Sequence, residues 1–298
     1  MEAFAPGIYP RSEALVQATR DLDRGRTTPG AVDDQVERDL EQLVSVQRSA
    51  GLDLLADGML RWQDLFRPLI EAADGLATGA LTRFLDTNTF YRAPEVTSDE
   101  PRLTAPLDER YVTPLPAPRL VTLPSPYALA YGTDTPPRVI AEGVLKPAVA
   151  GLDAELVVLA EPFLARGTEF SLDALAEALE VLDGDTPVAL QCTFGDASTL
   201  LERGLADLPV EGIGIDLYAT PAAALPVDFD KLLLAGVLDA RSSVLEDPQE
   251  IAGFAAGLEV ERIALVPNGD LQFVAEPLAR EKLTRLGRAR ELRAEAAA

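Results

Sequence analysis

The sequence predicts an α/β chain folded as a single (β/α)8 TIM-type barrel with a hairpin inserted after its second strand. Three observations lead there. Eight short apolar runs alternate with segments of helical periodicity along 298 residues, a length that suits one large barrel. The runs are apolar throughout, as parallel strands covered on both faces must be. No Gly-x-Gly-x-x-Gly and no P-loop follows any of them, which weighs against a doubly wound open sheet. No break in composition marks a second domain, so residues 1–298 read as one unit.

In chain order, AFAPG is the first short strand, entering a loop at Gly7 and Pro10. Ser12 caps a helix with Leu15, Val16, Ala18 and Leu22 at helical spacing. A second helix runs from about Ala31 to Ala50, with Val36, Leu40, Leu43, Val44 and Val46 along one side, and Gly51 ends it. LDLLADG reads as a buried strand ending at Asp57-Gly58, and a helix is expected over Met59–Ala77. Then comes Leu81–Val96, LTRFLDTNTFYRAPEV. In an extended chain Asp86, Asn88, Phe90 and Arg92 share one face, and Thr87, Thr89 and Tyr91 the other. Polar on both faces with embedded aromatics, this stretch reads as an exposed hairpin or as a hairpin walling a barrel mouth.

Residues 97–118 are rich in proline and charge and read as a surface connection. LVTLPSP is the third strand and leads into a helical region closing near Ala150. The strands ELVVLAEP, PVALQCTFGD, GIGIDLYATP, LLLAGVLDARS and RIALVPNGD follow, with helices between them such as Ser171–Leu182 and Pro248–Ala256. The last helix, Glu276–Ala298, carries Leu278, Leu283, Leu286 and Leu292.

Composition narrows the chemistry. A net charge of −23 and a pI near 4.3 argue against nucleic acid, whose phosphates would be repelled. Lysine is confined to Lys146, Lys231 and Lys282. An acidic, lysine-poor, alanine-rich chain suits a high-salt, halophilic cytoplasm, although a GC-rich genome gives the same Arg and Ala bias. Cys192 is the only cysteine, which excludes intramolecular disulfides. No leader pattern and no apolar stretch approaching 18 residues is present, so no membrane partner and a cytoplasmic location are expected. Histidine is absent. That removes Ser-His-Asp and Cys-His nucleophile activation, and with one cysteine it removes a zinc site of N and S ligands. Oxygen ligands for Mg²⁺ remain. Cys192, with no histidine or lysine beside it to lower its pKa, reads as a small buried hydrophobe.

A barrel carries its site at the carboxyl ends of its strands. Those ends hold Arg11, Asp57, Ser125 with Tyr127, Glu161, Cys192 with Asp196, Asp216, Asp239 with Arg241, and Asn268 with Asp270. For any one of them a turn or helix cap is the simpler explanation. A ring of Asp57, Asp86, Glu161, Asp216 and Asp239 is harder to explain that way, since carboxylates in unlike environments divide acid and base roles.

Six strand-end motifs, in order, resemble the cobalamin-independent methionine synthase family, which transfers a methyl group from 5-methyltetrahydrofolate to homocysteine. GIYPRS resembles its opening Gly-x-x-Pro-Arg loop, GLDLLADG its Gly-Leu-Asp strand and LPSPYAL its Pro-Gly-Pro segment. LAEPFL resembles Asp-Glu-Pro-x-Leu, GVLDARS resembles Gly-Val-Val-Asp-x-Arg, and VPNGDL is similar to the last zinc-site loop. The family's full-length members have two similar barrels, and the C-terminal one holds a catalytic zinc by a His-x-Cys pair, a Glu and a last-strand Cys. This chain has Leu190, Cys192, Asp216 and Gly269 at those positions. Met59 and Ala160 stand where the family binds homocysteine with acids. LTRFLDTNTFYRAPEV is similar to the Trp-Phe-Asp-Thr-Asn-Tyr-His-Tyr-x-x-Pro-Glu segment of the zinc-free N-terminal barrel, and VALQCTFGD and GIGIDLY resemble two of its strands.

The resemblance implies a stand-alone counterpart of that N-terminal half, which braces the catalytic half and helps bind the folate's polyglutamate tail. It implies no zinc and no other intrinsic cofactor in this chain, a separately encoded zinc-bearing barrel as partner, and 5-methyltetrahydrofolate polyglutamate as the small-molecule ligand. Arg11 and Arg61 would then pair with glutamyl carboxylates while Tyr91 or Tyr127 stacks on the pterin. Asp86, Asn88 and Tyr91 are the expected surviving ligand or interface surface, with Asp57, Glu161, Asp216, Asp239 and Arg241 completing the candidate binding set. Two alternatives stand beside this: a methyltransferase active alone through zinc-independent carboxylate chemistry, and a non-catalytic pterin-binding module.

Overall fold

The computed structural model describes residues 1–107, 110–167 and 171–297. The apolar runs form a parallel sheet. Its members are β1 (Glu2–Ala3), β6 (Leu120–Pro124), β7 (Leu156–Glu161), β8 (Val188–Cys192), β9 (Gly212–Asp216), β10 (Leu232–Leu238) and β11 (Ile263–Pro267). Four further strands lie between the first two in the chain: β2 (Ala73–Asp74), β3 (Leu76–Arg83), β4 (Phe90–Val96) and β5 (Arg102–Leu103). The seven-stranded sheet has the order β1-β11-β10-β9-β8-β7-β6, parallel at every pair. Side chains alternate across it. Phe4, Leu156, Val158, Leu232, Leu234 and Val266 line the inside of the curl. Val157, Leu159, Leu233 and Leu265 join helix residues such as Leu175 and Leu283 in the larger cluster outside.

The second strand is where expectation and structure part. Among the described residues, Leu52–Gly58 makes one isolated bridge, Leu55 to Arg119, and no ladder, so the sheet is open here and not a closed eight-stranded barrel. The segment still touches both edges. Asp53 N donates to Ala3 O (2.8 Å), Leu55 N to Pro118 O (3.0 Å), and Leu120 N to Leu55 O (2.9 Å). Side chains do the rest of the pairing. The Asp53 carboxylate accepts from Ala3 N (2.8 Å) and pairs with Arg290 (2.5 Å). Gln47 donates to Ala56 O (2.8 Å) and accepts from Ala56 N (2.9 Å). Backbone groups already satisfied by side chains have no need of a strand neighbour.

The helix expected over Met59–Ala77 is also corrected. Only α3 (Arg67–Glu71) is helical there. Gly58 and Met59 both have positive φ (64° and 49°), and the Asp64 carboxylate caps Phe66 N and Arg67 N, both at 2.9 Å, so the helix starts late. Gly75, at φ 81°, then turns the chain into β3. β3 and β4 pair antiparallel, with Thr82 opposite Tyr91 and Arg83 opposite Phe90. Along β4, Tyr91 is buried while Phe90 and Arg92 are exposed, the alternation expected of an extended segment. Asp86 and Asn88 fall outside the strands, in the 84–89 turn, where Leu85 has φ 52°.

The other helices follow the periodicity closely: α1 (Glu13–Asp23) behind its Ser12 cap, and α2 (Pro29–Ser49). The region closing near Ala150 is broken into α4 (Pro126–Ala130), α5 (Pro137–Ile140), a π turn over Ala141–Leu145, and α6 (Lys146–Ala150). α7 (Leu172–Glu180), α8 (Ser198–Glu202), α9 (Pro248–Ala256) and α10 (Glu276–Ala297) complete the layer. Within the 97–118 connection, β5 pairs with β2, and residues 108–109 lie outside the described residues. Among the described residues no helix is long and apolar enough to cross a membrane.

Candidate functional site

Two strand ends meet at Glu161 and Cys192, which are register partners on β7 and β8. Glu161 is wholly buried. Its Oε2 accepts from Ser125 Oγ, and its Oε1 from Phe163 N (2.9 Å) and Leu164 N (3.2 Å). Burial outweighs those bonds and pushes its acidity up to about 7. Burial also raises the Cys192 thiol, with Glu161 next in effect, so the cysteine is an unreactive core group.

The raised Glu161 has a consequence for stability. Between its ordinary pKa of 4.5 and the folded value near 7, the native chain holds a proton that the unfolded chain has released. Stability is therefore greatest below that window and falls as pH rises through it, by up to about 1.4 kcal/mol per pH unit. Asp270, pushed up to about 6 by burial, acts in the same sense. Urea unfolding between pH 5 and 8 is expected to show a shallower decline in Glu161→Gln than in the parent chain. Parallel curves would refute the assignment.

On the next strands Asp216 accepts from Asn268 Nδ2 (3.1 Å) and Tyr218 N (3.0 Å), and Asn268 Oδ1 accepts from Ala240 N (2.9 Å). Burial raises the Asp216 carboxyl. Asp270 accepts from Ile8 N (2.9 Å) and Gln272 Nε2 (3.1 Å), tying the last strand end to the first loop. Asp239 accepts from Arg241 N (3.0 Å).

The residues expected to meet a polyglutamate tail are held by the chain itself. Arg11 donates to Leu60 O (3.0 Å) and Trp62 O, and burial lowers its pKa. Arg61 pairs with Asp33 at 2.6 Å, and its buried Nε has no hydrogen-bond partner among the described residues. Asp57 accepts from Met59 N (2.8 Å) and Thr113 N (3.0 Å), with its pKa raised by burial. These three sit around the turns after the first loop and the open seam. None of the bonds described here joins them to Asp86, Arg241 or Asp216.

The hairpin lies over the mouth. Phe84 and Tyr91 are buried, with ring centroids 5.9 Å apart, and both stand near Phe163 (6.4 and 6.1 Å). Phe84 also stacks on Phe273 (6.0 Å), which meets Phe194 edge-on (5.4 Å). Tyr131 stacks on Phe163 at 4.2 Å, and Tyr127 stands 6.2 Å from Tyr131. Aromatic rings thus fill the mouth between the hairpin and the sheet. Asn88 Oδ1 accepts from Arg83 (3.0 Å), and Asp86 faces two arginines, Arg166 and Arg241. Two hollows are lined by other residues. One, of about 540 Å³, is lined by Asp183, Glu211 and Lys231, and the other, of about 400 Å³, by Tyr218, Val244 and Phe254.

Sequence reasoning did not find Arg166, Phe163, Phe194 or Phe273. They lie in short turns just past strand ends, where no hydrophobic period points to a direction. Arg166 sits in the Leu164–Arg166 turn, five residues past Glu161.

Of the four positions that the resemblance matches to zinc ligands, Leu190 and Gly269 bring no donor side chain. Leu190 and Cys192 share the side of β8 that belongs to the large outer cluster. Gln191 between them points inward, donating to Pro267 O (2.8 Å). Asp216 instead bonds Asn268. Any side chain on Gly269 would meet the Phe194 ring, since an ideal Cβ there lies 2.5 and 2.7 Å from its Cε atoms. Among the described residues, no three of His, Cys, Asp or Glu come together as a metal site.

No protein-family model matches the chain. A 5-methyltetrahydropteroyltriglutamate–homocysteine methyltransferase of Mycobacterium bovis is 28% identical over 226 residues, covering 68% of this chain and 29% of the relative. The chain thus spans less than a third of that protein's length. A methionine synthase of Sulfurisphaera tokodaii is 22% identical, covering 93% of this chain and 88% of the relative. Among solved structures, a B12-independent methionine synthase from Shewanella in complex with selenomethionine superposes with a TM-score of 0.69. At 14% identity it covers 91% of this chain and 92% of its own, and it shows a shared fold.

Proposed function

From its kinship with the cobalamin-independent methionine synthase family, we propose that this chain is a zinc-free accessory barrel. It works with a separately encoded, zinc-bearing catalytic barrel in methyl transfer to homocysteine, and 5-methyltetrahydrofolate polyglutamate is its ligand. The observation that carries this reading is the filled position at Gly269, covered by the Phe194 ring, together with Leu190 and Cys192 on the outer side of β8. A tetrahedral site of N and S ligands has no basis in that arrangement, so no step through zinc is assigned to this chain.

The test is an assay of methionine formation from 5-methyltetrahydrofolate and homocysteine. The purified chain is expected to be inactive alone and to raise the rate of a zinc-bearing barrel when added to it. Turnover by the chain alone, with one zinc per chain by elemental analysis, would sink the proposal. A second reading, stand-alone carboxylate acid–base chemistry, draws on Glu161 and Asp270 titrating near 7 and 6. It requires the aromatic cover to open, and methyl transfer by the zinc-free chain alone would favour it. As a non-catalytic pterin-binding module, the chain would bind methyltetrahydrofolate polyglutamate in calorimetry without acting on any partner.

A further inference from the structure

In a chain with 49 acidic and 26 basic residues, two arginines converge on one exposed carboxylate oxygen at the mouth. Arg166 Nη1 lies 3.4 Å and Arg241 Nη1 3.3 Å from Asp86 Oδ1. The arginines come from different strand ends, past β7 and β10. The protein places each of them independently of Asp86. Arg166 Nε donates to Phe194 O (2.5 Å), and the Arg241 guanidinium lies 4.7 Å from the centre of the Phe194 ring.

Phe194 is itself a rigid mount. It is fully buried, holds φ at 55°, and its ring rests on Gly269. A non-glycine residue in that conformation persists only where its surroundings over-determine it, and such positions cluster at ligand clamps. Asp86 has the opposite character. Its side chain is 67% exposed and sits on the six-residue turn joining β3 to β4. The contact recorded for each arginine is to the same oxygen, Oδ1, through its Nη1. Guanidinium offers five N–H donors in a fork shaped for a two-oxygen acceptor. The fixed partners are therefore the two cations, and the exchangeable one is the carboxylate.

We propose that Arg166 and Arg241 form a binding site for a small-molecule carboxylate at the mouth, which Asp86 occupies from within until a ligand displaces it. The Phe194 carbonyl and ring orient the two guanidiniums, and the hairpin turn delivers the resident carboxylate. Loss of the self-contact on ligand binding releases the Asp86 side chain, while Phe84 keeps the turn packed on Phe163 and Phe273. This assignment does not rest on the accessory-barrel reading, because it requires neither a partner nor a pterin.

The test is calorimetric titration of the whole chain with glutarate, which carries two carboxylates and no pterin, at low ionic strength. Glutaramide, its uncharged diamide, is the control. Exposed ion pairs of this kind are weak individually, so removing the resident competitor in Asp86→Asn is expected to tighten glutarate binding about three- to tenfold. Arg166→Gln and Arg241→Gln are each expected to weaken it at least tenfold, and the double variant to abolish it. Unfolding midpoints of all four variants confirm that the fold is intact. Equal affinity in parent and Asp86→Asn, no binding to either, equal binding of glutaramide, or binding that survives the double variant would each overturn the assignment.

Discussion

Lys282→Met is expected to destabilise the fold by about 3–5 kcal/mol, because it strands a buried carboxylate. Lys282 has no exposed surface. Its Nζ donates to both oxygens of Glu246 and to Val244 O, at 2.8, 2.8 and 2.7 Å. Glu246 also accepts from Asp239 N (2.8 Å) and from the Tyr218 hydroxyl (3.3 Å). The pair fastens α10 to the loop that follows β10, where Arg241 lies. Removing the ammonium leaves an ion with hydrogen bonds but no counter-charge. Removing both charges, in Lys282→Met with Glu246→Gln, leaves a buried amide and is expected to restore well over half of the loss. Urea unfolding of the four members of the cycle measures the coupling. A Lys282→Met loss below 1 kcal/mol, or additive single losses, would show that the pair contributes little.

Gly287→Ala is expected to cost about 3 kcal/mol, whereas Gly253→Ala is expected to be neutral or to stabilise by a few tenths. Both glycines lie inside helices, where alanine is intrinsically preferred by about 1 kcal/mol. At Gly253 in α9, a methyl group would have nothing within 4 Å. At Gly287 in α10, it would overlap the Ala50 carbonyl oxygen at the end of α2 and lie 2.7 Å from the carbonyl carbon. Backbone cannot swing aside as a side chain can, so the two helices would have to separate. At about 2–4 °C per kcal/mol for a large domain, the Gly287 variant is expected to melt about 6–12 °C lower. Thermal scans of both variants decide it, and equal melting temperatures would refute the packing argument.

Six of the seven sheet strands were readable because each is an apolar run, which is what burial on both faces demands of parallel strands. β1 was legible only as a short run and pairs through just two residues. Leu52–Gly58 carried the same apolar signal, yet Gln47 and Asp53 took over its backbone pairing. That depends on partners such as Arg290, far off in sequence. Met59–Ala77 had a helical period, and the cap from Asp64 and the positive φ at Gly58 and Met59 overruled it. Glu161 and Asp216 were placed at strand ends, as the structure has them, because those ends are predictable positions. Arg166 and the Phe194 mount were not found, since their meaning arises only when turns from separate strands converge. Tyr91 was placed on the face opposite Phe90 and Arg92, and the hairpin keeps it so.

A hoop of eight full strands has its girth set by strand number and register. Here one stave is held by Asp53 and Gln47, by two backbone bonds between Leu55 and the Pro118–Leu120 stretch, and by one from Asp53 to Ala3. Water can replace a side-chain hydrogen bond at small net cost, so the hoop can widen at this stave with every seven-strand ladder intact. Asp57, at the far end of the same stave, accepts from Thr113 N in the long 97–118 connection. Any loosening of the stave is thereby passed to Thr113 and the connection that leads from the hairpin to β6.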